Sequence, residues 1–417
     1  MMFLNDRKPA RVAAALAATA VLLGAGACSG DTNASSDGTT NSVQGGPALF
    51  AGAPFTGTDE EFYLPPDPLP EGEPGELIRV MDLGESGGMA TRKVMYHSRD
   101  AAGRDRAVTG LVTYPATTAP EGGWPVVSTA PGTTGLAPQC GLSRRNGEAQ
   151  DWGVPGVRVM TDYIGLGTEG GPLHPYFSKP SEGHSVIDGV RAAQRLPNAG
   201  AGNRWFSVGH SQGGHGALAA SELAADYAPE LDLLGTLSLS PAAMFESVYG
   251  GIDPIVTGIL TAMSLYGGAG EHPEIKLEDY VTDELANASG VFEEGCLPEI
   301  TDTLVPLAVG GQLFTNDPRD TDPANSILLD NDVGNVAVDA PLFLVSGTAD
   351  DRVATDRVRD LYARLCETGQ VTELLIVEGA THDNITAETA TQTSAWLNAR
   401  LVGDPPTNSC DESPTAP

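Results

Sequence analysis

Residues 206–217 read FSVGHSQGGHGA. A serine in the setting G-x-S-x-G, at the end of an apolar run, is a candidate nucleophile on a sharp turn between a strand and a helix. The demand is steric. The serine backbone is strained there, so the residues two before and two after it, Gly209 and Gly213, must be small. The hydroxyl of Ser211 then stands above the carboxyl end of a sheet, and the following helix puts its N-terminus behind it, where negative charge is favoured. A serine alcohol attacks poorly until a base takes its proton, and that base needs an orienting carboxylate. In hydrolases built this way the chain order is serine, acid, histidine, the last two on loops after later strands. PLFLVSGTAD (341–350) ends in Asp350 after a buried apolar run, and ELLIVEGATHD (373–383) carries His382 after the next. Of the seven histidines, His97, His174, His184, His210 and His215 precede or adjoin the serine, and His272 falls in an insertion, so only His382 occupies the expected place. Asp351 and Asp383 are neighbours of the acid and the base. Asp350 is preferred because it lies three residues after Gly347, whereas Asp351 is expected to cap the next helix.

This chemistry also needs two backbone N–H groups aimed at the developing oxyanion. One is expected from Gln212, directly after the nucleophile, and the other from Thr133 or Thr134 in APGTTG (130–135). Such a set acts on acyl compounds through an acyl-enzyme and requires no cofactor and no metal. His210 and His215, five residues apart on a turn and a helix, have poor spacing for a metal pair. Asp162–Tyr163 reads either as a lining of the site or as the end of a strand, and Asp188 as a structural carboxylate.

The elements that must position these residues follow from the hydrophobic pattern. ATRKVMYHS (90–98) and RAVTGLVTYPA (106–116) read as a hairpin. The runs WPVVSTA (124–130), GVRVMTDYIGLG (156–167), RWFSVGHS (204–211), LLGTLSLSPA (233–242), APLFLVSGTADD (340–351) and VTELLIVEGATHD (371–383) read as strands and alternate with segments of helical spacing: 182–196, 213–227 and 352–369, with a closing helix over 385–402. Buried strands alternating with amphipathic helices predict an α/β fold, a mostly parallel sheet covered on both faces. The alternation stops between about 242 and 335, a glycine- and acid-rich stretch with helical segments, read as an inserted, mostly helical cap.

The N-terminus looks like an export signal: Arg7, Lys8 and Arg11, an apolar core over 12–27, then Cys28. The small residues before Cys28 resemble a bacterial lipobox, although Ala25 stands where such boxes usually carry Leu, Val or Ile. Lipidation of Cys28 with a surface tether and simple cleavage with free secretion are the two readings. The expected organisation is a signal peptide (1–27), a Gly/Ser/Thr/Asn-rich tether (28–60), one catalytic domain (61–403) and a tail (404–417). Cys140, Cys296, Cys366 and Cys410 are an even number in an exported chain, which predicts two disulfides with three possible pairings. The balance of 23 Lys and Arg against 55 Asp and Glu, net −32, repels phosphate backbones and argues against nucleic acid as a partner.

Six stretches together, VVSTAPGTTG, TDYIGLG, HPYFSKPSEGHSVIDGVRAAQRL, VGHSQGG, SGTADDRV and EGATHD, resemble the secretory lipase family of α/β-hydrolases, known from fungi and actinobacteria, over most of residues 60–403. The resemblance implies an α/β-hydrolase fold, and Ser211, Asp350 and His382 as nucleophile, acid and base. It also implies a lid between nucleophile and acid, disulfides Cys140–Cys296 and Cys366–Cys410, and lipids or other acyl esters as substrates. The departures are the lipobox and the 242–335 stretch. Carried over with the same triad, the alternatives are a polysaccharide acetyl esterase, an acyltransferase and a serine peptidase. A surface binding protein that has kept the fold without catalysis is the non-enzymatic reading.

Overall fold

The computed structural model describes residues 49–145, 147–245 and 253–411. The signal segment, Cys28, the first part of the tether and the last residues of the tail lie outside the described residues. The strands are β1 Leu77–Ser86, β2 Met89–Arg99, β3 Asp105–Pro115, β4 Trp124–Ala130, β5 Val157–Thr161, β6 Ala201–His210, β7 Asp232–Leu239, β8 Leu342–Gly347 and β9 Thr372–Val377. They form one sheet in the order β1-β2-β3-β5-β4-β6-β7-β8-β9. The first three strands and the β3–β5 pair are antiparallel, and every pair from β5 to β9 is parallel. In β8 all six residues are buried, because helices cover both faces of the parallel part, so its sequence reads as a continuous apolar run.

The helices are α1 Asp59–Phe62, α2 Lys179–Arg195, α3 Gln212–Tyr227, α4 Pro254–Gly268, α5 Asp283–Ala288, α6 Val291–Glu294, α7 Leu297–Val309, α8 Ala324–Asp330, α9 Thr355–Thr368, α10 Ile385–Glu388 and α11 Ala390–Leu401. One face of the sheet packs Val126, Val159 and Trp205 against Val186 and Val190 of α2 and Ala217 of α3. The other packs Phe206, Leu237 and Phe343 against Trp396 and Leu397 of α11. Full burial of each such side chain stabilises the fold by about 1.5–3 kcal/mol. Helices α4–α8 stand between β7 and β8 and build a core of their own around Phe245, Met263, Phe292 and Leu304.

Several details differ from the sequence reading. β1 is an edge strand whose last five residues are exposed, so LIRVMDLGES shows no alternation to read. The closing helix is broken at Thr389, whose hydroxyl bonds back to the Ile385 carbonyl at 2.7 Å. Residues within the expected tether are held by the body: Phe50 N donates to Arg195 O at 2.8 Å, Phe55 N to Val80 O at 2.6 Å, and Thr58 caps α1. The disulfides are Cys140–Cys296, joining the loop after β4 to the start of α7, and Cys366–Cys410, joining α9 to the C-terminal segment. These are the pairs that the family resemblance implies. Their spans of 156 and 44 residues close long loops, which in the chain-entropy account is worth about 3–5 kcal/mol each.

Asp188 ties α2 to its neighbours. Fully buried, it accepts from Ser98 Oγ of β2 at 2.7 Å, Tyr227 OH of α3 at 2.8 Å and Arg191 at 2.9 Å. Burial pushes its carboxyl up to about 6, against the pull of Arg191. Replacing Asp188 by Ala removes the shared acceptor of Ser98, Tyr227 and Arg191, although the Arg191 guanidinium keeps Glu230 and the Tyr227 carbonyl. The expected loss is roughly 2–4 kcal/mol of unfolding free energy by denaturant titration, and a loss within 0.5 kcal/mol contradicts this role.

Candidate active site

β6 ends at His210 and α3 begins at Gln212, which leaves the reversal to Ser211 alone. Its backbone sits at φ 62° and ψ −121°, a region that costs a non-glycine residue about 1–3 kcal/mol. Neighbours over-determine it. Ser211 N donates to Leu239 O at 2.9 Å, and its carbonyl accepts from His215 N and Ala242 N, both at 3.2 Å. A Cβ on Gly209 would meet Gly213 O at 2.0 Å, and one on Gly213 would meet Ala130 O at 2.0 Å. Both glycines are therefore required by close backbone approach. Gln212 opens α3, where helical N–H groups have no intrahelical acceptor.

Asp350 follows β8 and His382 follows β9. The two loops are tied by Ala349 N to Ala380 O at 3.0 Å and Gly379 N to Thr348 Oγ1 at 2.8 Å. His382 Nδ1 lies 3.0 and 2.9 Å from the two carboxylate oxygens of Asp350. Nδ1 must donate there, which leaves Nε2 as an acceptor. Asp350 Oδ1 also accepts from the N–H groups of Arg352 and Val353 at 2.9 and 2.8 Å. Burial opposes its ionisation, but His382 and the Val353 N–H outweigh it and hold the carboxyl below the ordinary range. Neither neighbouring acid is bonded to His382. Asp383 is forked by Arg352 at 2.6 and 2.9 Å. Asp351 is exposed and caps nothing, contrary to the expectation, because α9 starts four residues later with Ala354 at its N-cap.

Ser211 and His382 line one cavity of about 470 Å³ together with Gly132 and Thr133. Its apolar walls come from Phe177, Phe245, α4 and the first residues of α7. Thr133 Oγ1 bonds Tyr176 OH at 2.6 Å. Thr134 is not among the lining residues, and its carbonyl accepts from Leu297 N at 2.8 Å. A Cβ on Gly132 would come within 4.0 Å of Ser211 Cβ, so the loop after β4 runs directly beside the serine. His210 lines the same cavity, its ring centroid 4.4 Å from that of His382. Burial, then the adjacent His382, lower His210 to about 4, so it is neutral at neutral pH and adds no second cation beside His382.

The sequence reading missed what stands behind the elbow. Glu182 of α2 is completely buried; its Oε1 accepts from Gln212 Nε2 at 2.7 Å and Phe177 N at 3.0 Å, and its Oε2 faces His215 Nδ1 at 2.7 Å. His174 Nδ1 faces the Ile164 carbonyl at 2.9 Å and must donate to it, and its Nε2 lies 2.7 Å from Gln212 Nε2. His215 has acceptors at both nitrogens, Glu182 and the Asn331 carbonyl at 2.9 Å, which makes it an imidazolium. Burial works against both charges, but each partner outweighs it: Glu182 falls to about 2 and His215 is raised. One signal could have found this: Glu182 sits one helical turn before Val186 on the buried stripe of α2. Asp162 directly follows β5 as a buried strut, accepting from Thr109 Oγ1 at 2.6 Å and Ser143 N at 2.8 Å, and it does not line the cavity.

A strained serine on a strand–helix turn, with acid and histidine after later strands of a mostly parallel sheet, defines the α/β-hydrolase class of fold. Within it the chain belongs to the secretory lipase family, whose model matches residues 154–409. A curated relative, named a probable inactive lipase, MT1628, of Mycobacterium tuberculosis, is 23% identical and covers 85% of this chain and 84% of its own. Candida antarctica lipase A superposes with a TM-score of 0.72 at 18% identity, over 84% of this chain and 88% of that one. The rice cell wall degrading esterase LipA of Xanthomonas oryzae does so with 0.65 at 19% identity, over 79% and 98%. Family and fold are those of lipases and esterases, and two disulfides are a feature more common in exported than in cytosolic proteins. Among the described residues no helix is long and apolar enough to cross a membrane.

The Glu182–His215 pair sets a pH window. Glu182, lowered from 4.5, stabilises the fold fully above pH 4.5, and this is lost as pH falls toward 2. His215, raised from 6.5, stabilises it fully below pH 6.5, and this is lost as pH rises through its folded value. The unfolding free-energy difference between wild type and Glu182→Gln should therefore plateau between about pH 4.5 and 6.5 and shrink on both sides. A difference that keeps growing above pH 8 contradicts a charged pair.

Proposed function

We propose that the protein is an exported serine carboxylic-ester hydrolase. The observation that carries this reading is that His382, bonded to Asp350 at 2.9 Å, lines one cavity with Ser211. Ser211 Oγ attacks the ester carbonyl as its proton passes to His382 Nε2. The carbonyl π electrons move onto oxygen, where the Gln212 N–H and the loop after β4 receive them. Thr133 is the better donor of the two threonines there, because it lines the cavity and Thr134 does not. Collapse of the intermediate breaks the bond to the leaving alkoxide, which takes the proton from His382 and departs as alcohol. Water then adds to the acyl-enzyme, giving its proton to His382, and Ser211 leaves with that proton as the free acid forms. Asp350 holds Nδ1–H throughout and stabilises the transient imidazolium. Neutral His210 leaves that cation unopposed. Elbow, acid and base each accelerate the reaction only as part of one unit.

The relative named an inactive lipase motivates a second reading, a binding protein that keeps the fold. In the present chain serine, acid and histidine are all retained and the acid–base bond is made, which favours the enzyme. Ser211→Ala should lower kcat for a p-nitrophenyl ester by at least about 10⁴-fold with an unchanged circular dichroism spectrum. Asp350→Asn should lower it by about the same order. Undiminished turnover by the folded Ser211→Ala protein rejects the assignment. No turnover by wild type on any chain length favours the binding protein.

A further inference from the structure

Two arginines, Arg352 and Arg357, line the Ser211 cavity, and among the described residues no aspartate or glutamate lines it. This inverts the composition of the chain, with its 55 acidic against 23 basic residues. The rest of the wall is largely apolar, and a low-dielectric wall strengthens whatever charge interaction forms beside it. Both arginines have carboxylate partners, but those partners stand in water. Asp383, forked by Arg352, is 72% exposed, and Asp360, 3.0 Å from Arg357, is 46% exposed. Pairs of that exposure contribute at most about 1 kcal/mol, so a substrate carboxylate can replace or join them at little cost.

Arg357 also breaks a local rule. It occupies the first turn of α9, where the helix dipole disfavours a cation by about 0.3–1 kcal/mol. Departures from local preference concentrate at functional positions. Arg352 follows Asp350 closely, and its own N–H holds the Asp350 carboxylate, so a charge bound by its side chain is registered against the reacting centre.

We propose that the preferred substrates are esters that carry a carboxylate beyond the scissile bond, such as hemiesters of dicarboxylic acids, and that Arg352 and Arg357 bind that carboxylate. Planar guanidinium matches planar carboxylate, so the two arginines select for the acid over a neutral chain of equal length. The inference rests on the ester-hydrolase reading and adds the substrate class.

The test compares kcat/KM for p-nitrophenyl alkanoates with that for the ω-carboxy analogues of equal length. The acyl chains run from roughly four to ten carbons, which suits a cavity of this size. The enzymes are wild type, Arg357→Met and Arg352→Met. The ratio within one enzyme cancels any general loss of folded protein. In wild type the acid-to-neutral ratio should exceed one and reach about tenfold at some length, the scale of one charge-assisted hydrogen bond. It should fall by about that factor in each variant, and in wild type it should also fall as NaCl rises. A neutral ester preferred at every length, or a ratio that neither variant moves, overturns the proposal. If wild type turns over neither series, the ester-hydrolase reading itself fails and this inference with it.

Discussion

The rest of the site depends on a contact between two pieces of backbone. Where β6 passes into α3, the chain runs so close to the end of β4 that neither Gly209 nor Gly213 has room for a Cβ. That closeness forces Ser211 to a positive φ and puts its side chain at the mouth of the cavity. The same closeness brings the loop after β4, with Gly132 and Thr133, alongside the serine. Strain of this kind persists only where surroundings hold it. Here they are the carbonyl of Leu239, the N–H groups of His215 and Ala242, and the buried Glu182 behind the first turn of α3.

Charge is allotted by burial and partner rather than by composition. The chain is strongly acidic, yet the groups that matter are set one by one. Asp350 stays ionised because a histidine and two backbone donors face it. His210 stays neutral because it is buried beside another imidazole. His215 stays charged because acceptors meet both its nitrogens. Of the two histidines beside the serine in the chain, one is thus neutral and the other cationic, and neither is the proposed base. His215 also reaches the Asn331 carbonyl next to α8, so the brace behind the elbow extends to the segment that closes the cap. The Cys140–Cys296 disulfide ties the cap to the loop after β4 from the other side.

Much of this was legible in the sequence, and the boundary has physical causes. The placement of Ser211, Asp350 and His382 after strands could be read because each follows a short apolar run that contains β-branched or aromatic residues and is flanked by glycine, which favours a buried strand over a helix. Gly209 and Gly213 could be read because the elbow has one steric solution. Glu182 escaped because a carboxylate in a helical stretch is ordinarily a surface residue. The partners brought by folding from positions 177, 212 and 215 make its burial tolerable. β1 escaped because an exposed edge strand carries no alternation. Asp351 was misassigned because the turn that wraps Asp350 delays the start of α9, and local capping preference does not register that demand. That Thr133 and not Thr134 lines the cavity depends on the path of a loop, which no residue pattern specifies.

The central claim is that Ser211 is a nucleophile activated by His382. Its most direct measurement is the rate and site of reaction with a fluorophosphonate, followed by mass spectrometry of the intact protein and its peptides. The account predicts one adduct per chain, on Ser211, forming quickly in wild type and orders of magnitude more slowly in His382→Ala. A folded wild-type protein that leaves Ser211 unmodified, or a His382→Ala protein that labels as fast as wild type, would contradict it.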